Sequence, residues 1–140
     1  MSEFADPADI ARLKAETTVW AVVGLGANPE RPAYGVAHTL QQRFGKRIVP
    51  VYPRAETVHG EQGYTTLTEA AAAVGHIDVV DCFVNSNRVG AIVDEAIAIG
   101  AGAVWMQLDV IDEAAAQRAR AAGLTVVMNR CPAIEFPRLP

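Results

Sequence analysis

A chain of 140 residues with 51% hydrophobic and 20% charged side chains has the size and apolar content of one folded domain, which excludes multidomain, repeat and disordered organisations. A formal net charge of −4 argues against a nucleic-acid partner, since such proteins carry a basic excess. Cys82 and Cys131 lie far apart in no CxxC pattern, so free thiols in a cytoplasmic compartment are expected. The opening MSEFADPADIARLKAE lacks an apolar run, and nowhere do about 18 apolar residues follow one another, so neither a signal peptide nor a membrane span is expected.

Taken in order, the chain predicts a single domain over residues 1–140, beginning with a short helix at about 7–15 that Asp6 caps and Pro7 opens. TVWAVV at 18–23 reads as a buried strand that runs into Gly24. Tyr34, Ala37, Leu40 and Phe44 share a helical side. A second strand follows at 47–52, then a helix at 67–74 with Thr66 and Glu69 as a capping box. A third strand at 78–84, a helix carrying Val89, Ile92, Val93, Ala96 and Ile97, and a fourth strand at 103–108 come next. An alanine-rich helix at 112–122 and a fifth strand at 124–128 complete the pattern. Gly45, Gly75, Gly100 and Gly123 stand where helices end.

Strands alternating with helices require right-handed crossovers and a parallel sheet. The expected fold is α/β: a Rossmann-like, doubly wound, five-stranded parallel sheet with helices on both faces. A flavodoxin-like order is the alternative. The glycine-rich turn after the first strand favours the order 3-2-1-4-5.

Ligands of such sheets sit at the carboxyl ends of the strands. After the first strand comes GLGANPERP, with Gly24, Gly26, Ala27, Asn28 and Arg31. Bare amides and a helix start there suit a phosphate, although Pro29 replaces the third glycine of a GxGxxG fingerprint. The plainer reading is a glycine turn and no more. A valine at Gly24 is expected to block ligand while leaving the fold intact. Pro53 and Arg54 follow the second strand, where an NAD site would want an acid; a cation there suits a phosphorylated ribose, as in NADP or coenzyme A. Val84 and Asn85 follow the third strand, and Gln107 lies at the end of the fourth.

The runs VVGLGANPERPAYGVAHTL, IVPVYPRAE, DVVDCFVNSNRVGAIVDEAIAIGAGAVWMQL and AGLTVVMNRCPAIEFPRL together resemble the small bacterial CoA-binding domain family, related to the N-terminal domain of the succinyl-CoA synthetase alpha subunit. The resemblance covers about residues 15–140. It implies that Gly24, Gly26, Ala27, Asn28 and Arg31 hold the phosphates of coenzyme A. It also implies that Pro53 and Arg54 meet the adenosine end, Val84 and Asn85 line the other side of the adenine, and Gln107 faces the pantetheine arm. Many members carry a serine in place of Gly26.

No GxSxG elbow, metal-ligand cluster or opposed pair of carboxylates stands out, and His38, His59 and His76 match no catalytic motif. No catalytic or metal-binding residue is therefore expected. Cys131 near the ligand end reads as a small buried residue, with a mixed disulfide to a CoA thiol as its alternative. The expected function is non-catalytic binding of coenzyme A or an acyl-CoA. An NADP-dependent reductase and an interaction module for a separate acyl-CoA enzyme are the alternatives.

Overall fold

The computed structural model describes residues 5–140 of the chain. Asp6 accepts a hydrogen bond from the Ala8 N–H at 2.9 Å and Pro7 follows, so helix α1 (Pro7–Glu16) starts where the sequence predicts. Its Ile10 and Leu13 enter the core. Its far end rests on Lys46, whose buried ammonium donates to the carbonyls of Leu13, Lys14 and Thr17. Three donors meet three acceptors there, which is how a buried charge is tolerated. Burial pulls the Lys46 pKa down, and the nearby charge of Asp78 partly restores it.

Strands β1 (Val19–Val23), β2 (Arg47–Val51), β3 (Val79–Cys82), β4 (Ala103–Met106) and β5 (Thr125–Val127) form one parallel sheet. Helices α2 (Pro32–Phe44), α3 (Leu67–Val74), α4 (Ser86–Ala98) and α5 (Glu113–Ala121) make the crossovers. Side chains alternate along each strand, so every strand feeds two cores. Trp20, Val22, Ile48, Val79, Ala103, Trp105 and Val127 face α1, α2 and the C-terminal segment. Ala21, Val23, Val49, Val80, Cys82, Val104 and Val126 face α3, α4 and α5. This is the expected doubly wound arrangement with helices on both faces.

The strand order is 2-1-3-4-5, not 3-2-1-4-5. Pro50 supplies the reason. Its residue faces away from β1, and a proline offers no N–H to a further strand. Tyr64 covers that edge instead: its N–H donates to the Pro50 carbonyl at 2.9 Å, and its carbonyl accepts from the Tyr52 N–H at 3.0 Å. With β2 at the margin, α3 carries the chain back across β1 to its free side. The flavodoxin-like alternative is the order the chain adopts.

A second difference lies at the C-terminus, where the sequence reading assigned no element. Cys131 leads into a short helix α6 (Pro132–Glu135) and a 3-10 turn at Phe136–Arg138. Phe136 is fully buried and stands edge-on to Trp20, Trp105 and Phe44, at ring-centroid distances of 5.8, 5.7 and 5.3 Å. Lys14 holds the turn from outside, donating to the Phe136 and Leu139 carbonyls.

Candidate functional site

In this order the chain leaves β1 toward opposite edges: β2 pairs on one side and β3 on the other. The gap between the carboxyl ends of β1 and β3 is the topological switch point, where ligands of open α/β sheets sit. The loop Gly24–Arg31 emerges there. Gly24 has φ +102°, and its N–H donates to the Val51 carbonyl at 2.8 Å. A Cβ on it would lie 2.4 Å from the Phe83 carbonyl oxygen. The bare backbone is thus required by β3, before any ligand is considered. That corrects the expectation that a valine at Gly24 would leave the fold untouched.

Gly26 is buried under a different pair of neighbours. A Cβ there would stand 3.0 Å from Glu56 Oε1 and 3.2 Å from the Tyr52 ring. Glu56 Oε1 also accepts from the Ala27 N–H at 3.2 Å. The side chain of Asn28 accepts from the Glu30 N–H at 3.0 Å, and its carbonyl from the Arg31 N–H at 3.2 Å. This Asx turn sets the start of α2, with Arg31 as N-cap residue and Pro32 first in the helix. The Arg31 side chain makes no cap bond and is exposed.

Pro53 and Arg54 are exposed just after β2, between Tyr52 and Glu56 in the chain. Val84 is half-buried against the α3–α5 core, and Asn85 is the exposed N-cap residue of α4. Ser86 joins two connections: its hydroxyl donates to the Asp109 carbonyl at 3.1 Å and accepts from the Ile111 N–H at 2.9 Å. Asn129 Oδ1 adds a third tie by accepting from the Asp109 N–H at 2.7 Å. The structure therefore brings the loops after β1, β2 and β3 into contact around Gly24 and Gly26. Gln107 stands apart from them. Its side chain is turned inward, 5% exposed, and its Nε2 donates to Asp81 Oδ1 at 2.7 Å.

Asp81 is the group that the sequence reading passed over. It lies in β3 beside Val22 and Trp105, fully buried, and its Oδ2 has no hydrogen-bond partner among the described residues. Burial raises its pKa to about 7, against a smaller lowering by Gln107. A carboxyl letter inside an apolar parallel strand was the available signal. Burial also raises the Cys82 thiol, and the charge of Asp81 adds to that. Burial raises Cys131 too, offset in part by the Ala133 and Ile134 amides. Both thiols are held protonated, the unreactive form. Among the described residues no group of three His, Cys, Asp or Glu side chains gathers to hold a metal ion, and no helix is long and apolar enough to cross a membrane.

Cavities of about 190 and 230 Å³ lie beside α1 and the C-terminal turn, and on the outer edge of β2; neither is lined by the loop after β1. In that loop Tyr52 and Glu56 lie over Gly26, while residues 27–31 are exposed. Residues 18–137 match the family model described as the CoA-binding domain. The chain belongs to this family. Another sequence of similar length is the uncharacterised protein YneT of Bacillus subtilis (strain 168), 30% identical over 89% of each chain. A hypothetical protein from Pyrococcus horikoshii OT3 superposes with a TM-score of 0.87 at 33% identity, covering 96% of this chain and 92% of that one. Acetyl-coenzyme A synthetase 1 of Ca. Korarchaeum cryptofilum contains the same fold, with a TM-score of 0.70 at 20% identity over 86% of this chain and 28% of the enzyme. In this CoA-binding domain the space that a side chain at Gly26 would need is taken by Tyr52 and Glu56.

Proposed function

We propose that residues 1–140 act as one CoA-binding domain that takes up coenzyme A or an acyl-CoA at the carboxyl ends of β1, β2 and β3 and does not turn it over. The observation that carries this reading is the meeting of three loops at the switch point in a member of the CoA-binding family. The amides of Gly26, Ala27 and Asn28, the N-terminus of α2 and Arg31 serve the pyrophosphate, and the bare Gly24 lets the chain turn beneath it. Pro53 and Arg54 serve the adenosine end and its 3′-phosphate, with Val84 and Asn85 across the adenine. The pantetheine arm then runs over the end of β4. Gln107 contributes there through its backbone and through the shape that its bond to Asp81 gives the strand end.

Binding without turnover follows from the groups at hand. Asp81, the one carboxyl with a shifted pKa among the described residues, has no exposed surface, and the two thiols are protonated. General acid–base work needs a group within reach of substrate. A cytoplasmic carrier or sensor of CoA fits these features, delivering its ligand to an acyl-CoA enzyme. Calorimetry with CoA, acetyl-CoA, NADP and NAD side by side tests the ligand. CoA and acetyl-CoA are expected to bind and NAD to fail; tighter binding of NADP than of CoA would overturn the reading. Thioester hydrolysis, acyl transfer or hydride transfer near the enzyme median of about 10 per second would overturn the non-catalytic part.

A further inference from the structure

Several amides of the loop after β1 are already engaged. Pro29 and Pro32 have no N–H. The N–H of Gly24 is spent on Val51, that of Glu30 on the Asn28 side chain and that of Arg31 on the Asn28 carbonyl. Those three bonds make the turn, and losing them would dismantle it. Ala27 is different, because its N–H is held by a side chain from another connection, Glu56 Oε1 at 3.2 Å. The Glu56 backbone packs closely on Gly63, where a Cβ would lie 2.2 Å from its carbonyl oxygen. Its side chain has three torsions and reaches over Gly26 to the amide. A carboxylate oxygen and a phosphate oxygen are the same kind of anionic acceptor, and one amide cannot serve both.

We propose that the Glu56 carboxylate is a built-in stand-in for a ligand phosphate on the Ala27 amide, and that its charge determines how tightly the loop takes phosphate-bearing ligands. The inference rests on the reading above that this loop holds the pyrophosphate of coenzyme A. A phosphate arriving at Ala27 must displace Glu56 and then sit beside its charge. A nucleoside without phosphate meets neither cost. Glu56 is therefore a specificity-determining residue, acting against the phosphates rather than the base. With Tyr52 it also fills the space over Gly26.

Glu56→Gln keeps the length and an acceptor oxygen while removing the charge, and Glu56→Ala removes the acceptor as well. Amide NMR follows the Ala27 N–H as inorganic pyrophosphate is added, and calorimetry follows CoA and adenosine. For Glu56→Gln the dissociation constants for pyrophosphate and CoA should fall about tenfold, a change of about 1.4 kcal/mol, with adenosine unaffected. Glu56→Ala should tighten pyrophosphate at least as much. Unchanged or weaker pyrophosphate binding in both variants, or an Ala27 resonance that pyrophosphate never moves, would overturn the proposal. A wild-type protein that ignores CoA while its Ala27 amide answers pyrophosphate more strongly in Glu56→Gln would remove the ligand reading and leave the role of Glu56 standing. Equal CoA affinity in all three proteins would remove the role of Glu56 alone.

Discussion

Asp81 couples the stability of the protein to pH. Its folded pKa of about 7 lies above the value of about 3.9 for an unfolded aspartate. The folded state therefore binds the extra proton between those values, and stability falls as pH rises from about 4 to about 7. Below that window the carboxyl is neutral in both states and costs nothing; above it the full penalty persists. The slope approaches about 1.4 kcal/mol per pH unit. Asp81→Asn keeps an acceptor for Gln107 and removes the titration, so its urea midpoint should gain on wild type between pH 4.5 and 7.5. Parallel pH profiles would show that the buried charge is matched elsewhere. Arg54 carries a ligand prediction at the same scale. Arg54→Ala should weaken CoA by about 1.5–3 kcal/mol, the range for a hydrogen bond to a charged group, and dephospho-CoA much less. Equal losses measured by calorimetry would place the 3′-phosphate contact on another residue.

At the scale of elements, the local signals did their work where they are local. The α1 cap at Asp6, the α3 cap at Thr66 and the α5 cap at Asp112 each accept the expected N–H bond. These motifs depend on residues two or three apart, so no distant contact overrides them. The C-terminal segment is the opposite case. CPAIEFPRLP has three prolines within a short span and no helical repeat, yet its Phe136 plugs the aromatic cluster between Trp20, Trp105 and Phe44. Phe136→Ala should cost about 3–5 kcal/mol, the range for emptying a buried aromatic site. It should also alter tryptophan fluorescence in the folded state, since both indoles lose a neighbour. A loss under 1 kcal/mol by urea titration would mean that the segment packs on the core without supporting it.

For the whole molecule, the ligand should act as a stabiliser, because the switch-point loops join β1, β2 and β3 only in the folded chain. Free CoA at a hundred times its dissociation constant should add about 2.7 kcal/mol. For a domain of this size that is a rise in melting temperature of several degrees, at about 2–4 °C per kcal/mol. NAD at the same concentration should leave the melting temperature where it is. A scan in which NAD and CoA shift it equally would argue for a general anion effect. The net charge of −4 makes this a demanding comparison, since such a surface does not attract anions at large.

Much of this protein is written in short-range pattern. Strand runs, helix periodicity, caps and terminal glycines are read from neighbouring letters, and they suffice for a doubly wound parallel sheet; the proposed ligand end at 24–31, 53–54 and 84–85 is read from the letters that follow its strands. Pro50 is a letter that suits an edge strand, which is incompatible with β2 inside the order 3-2-1-4-5 but does not by itself fix the order of the other strands. The rest depended on groups far apart in the chain. Only the fold sets Phe83 against Gly24, Glu56 on Ala27 and Gln107 on Asp81, because each contact joins separate connections whose meeting follows from strand order. The charge of Asp81 likewise has no unusual meaning in the sequence. Burial between two strands and two cores supplies it, since a carboxyl removed from water holds its proton.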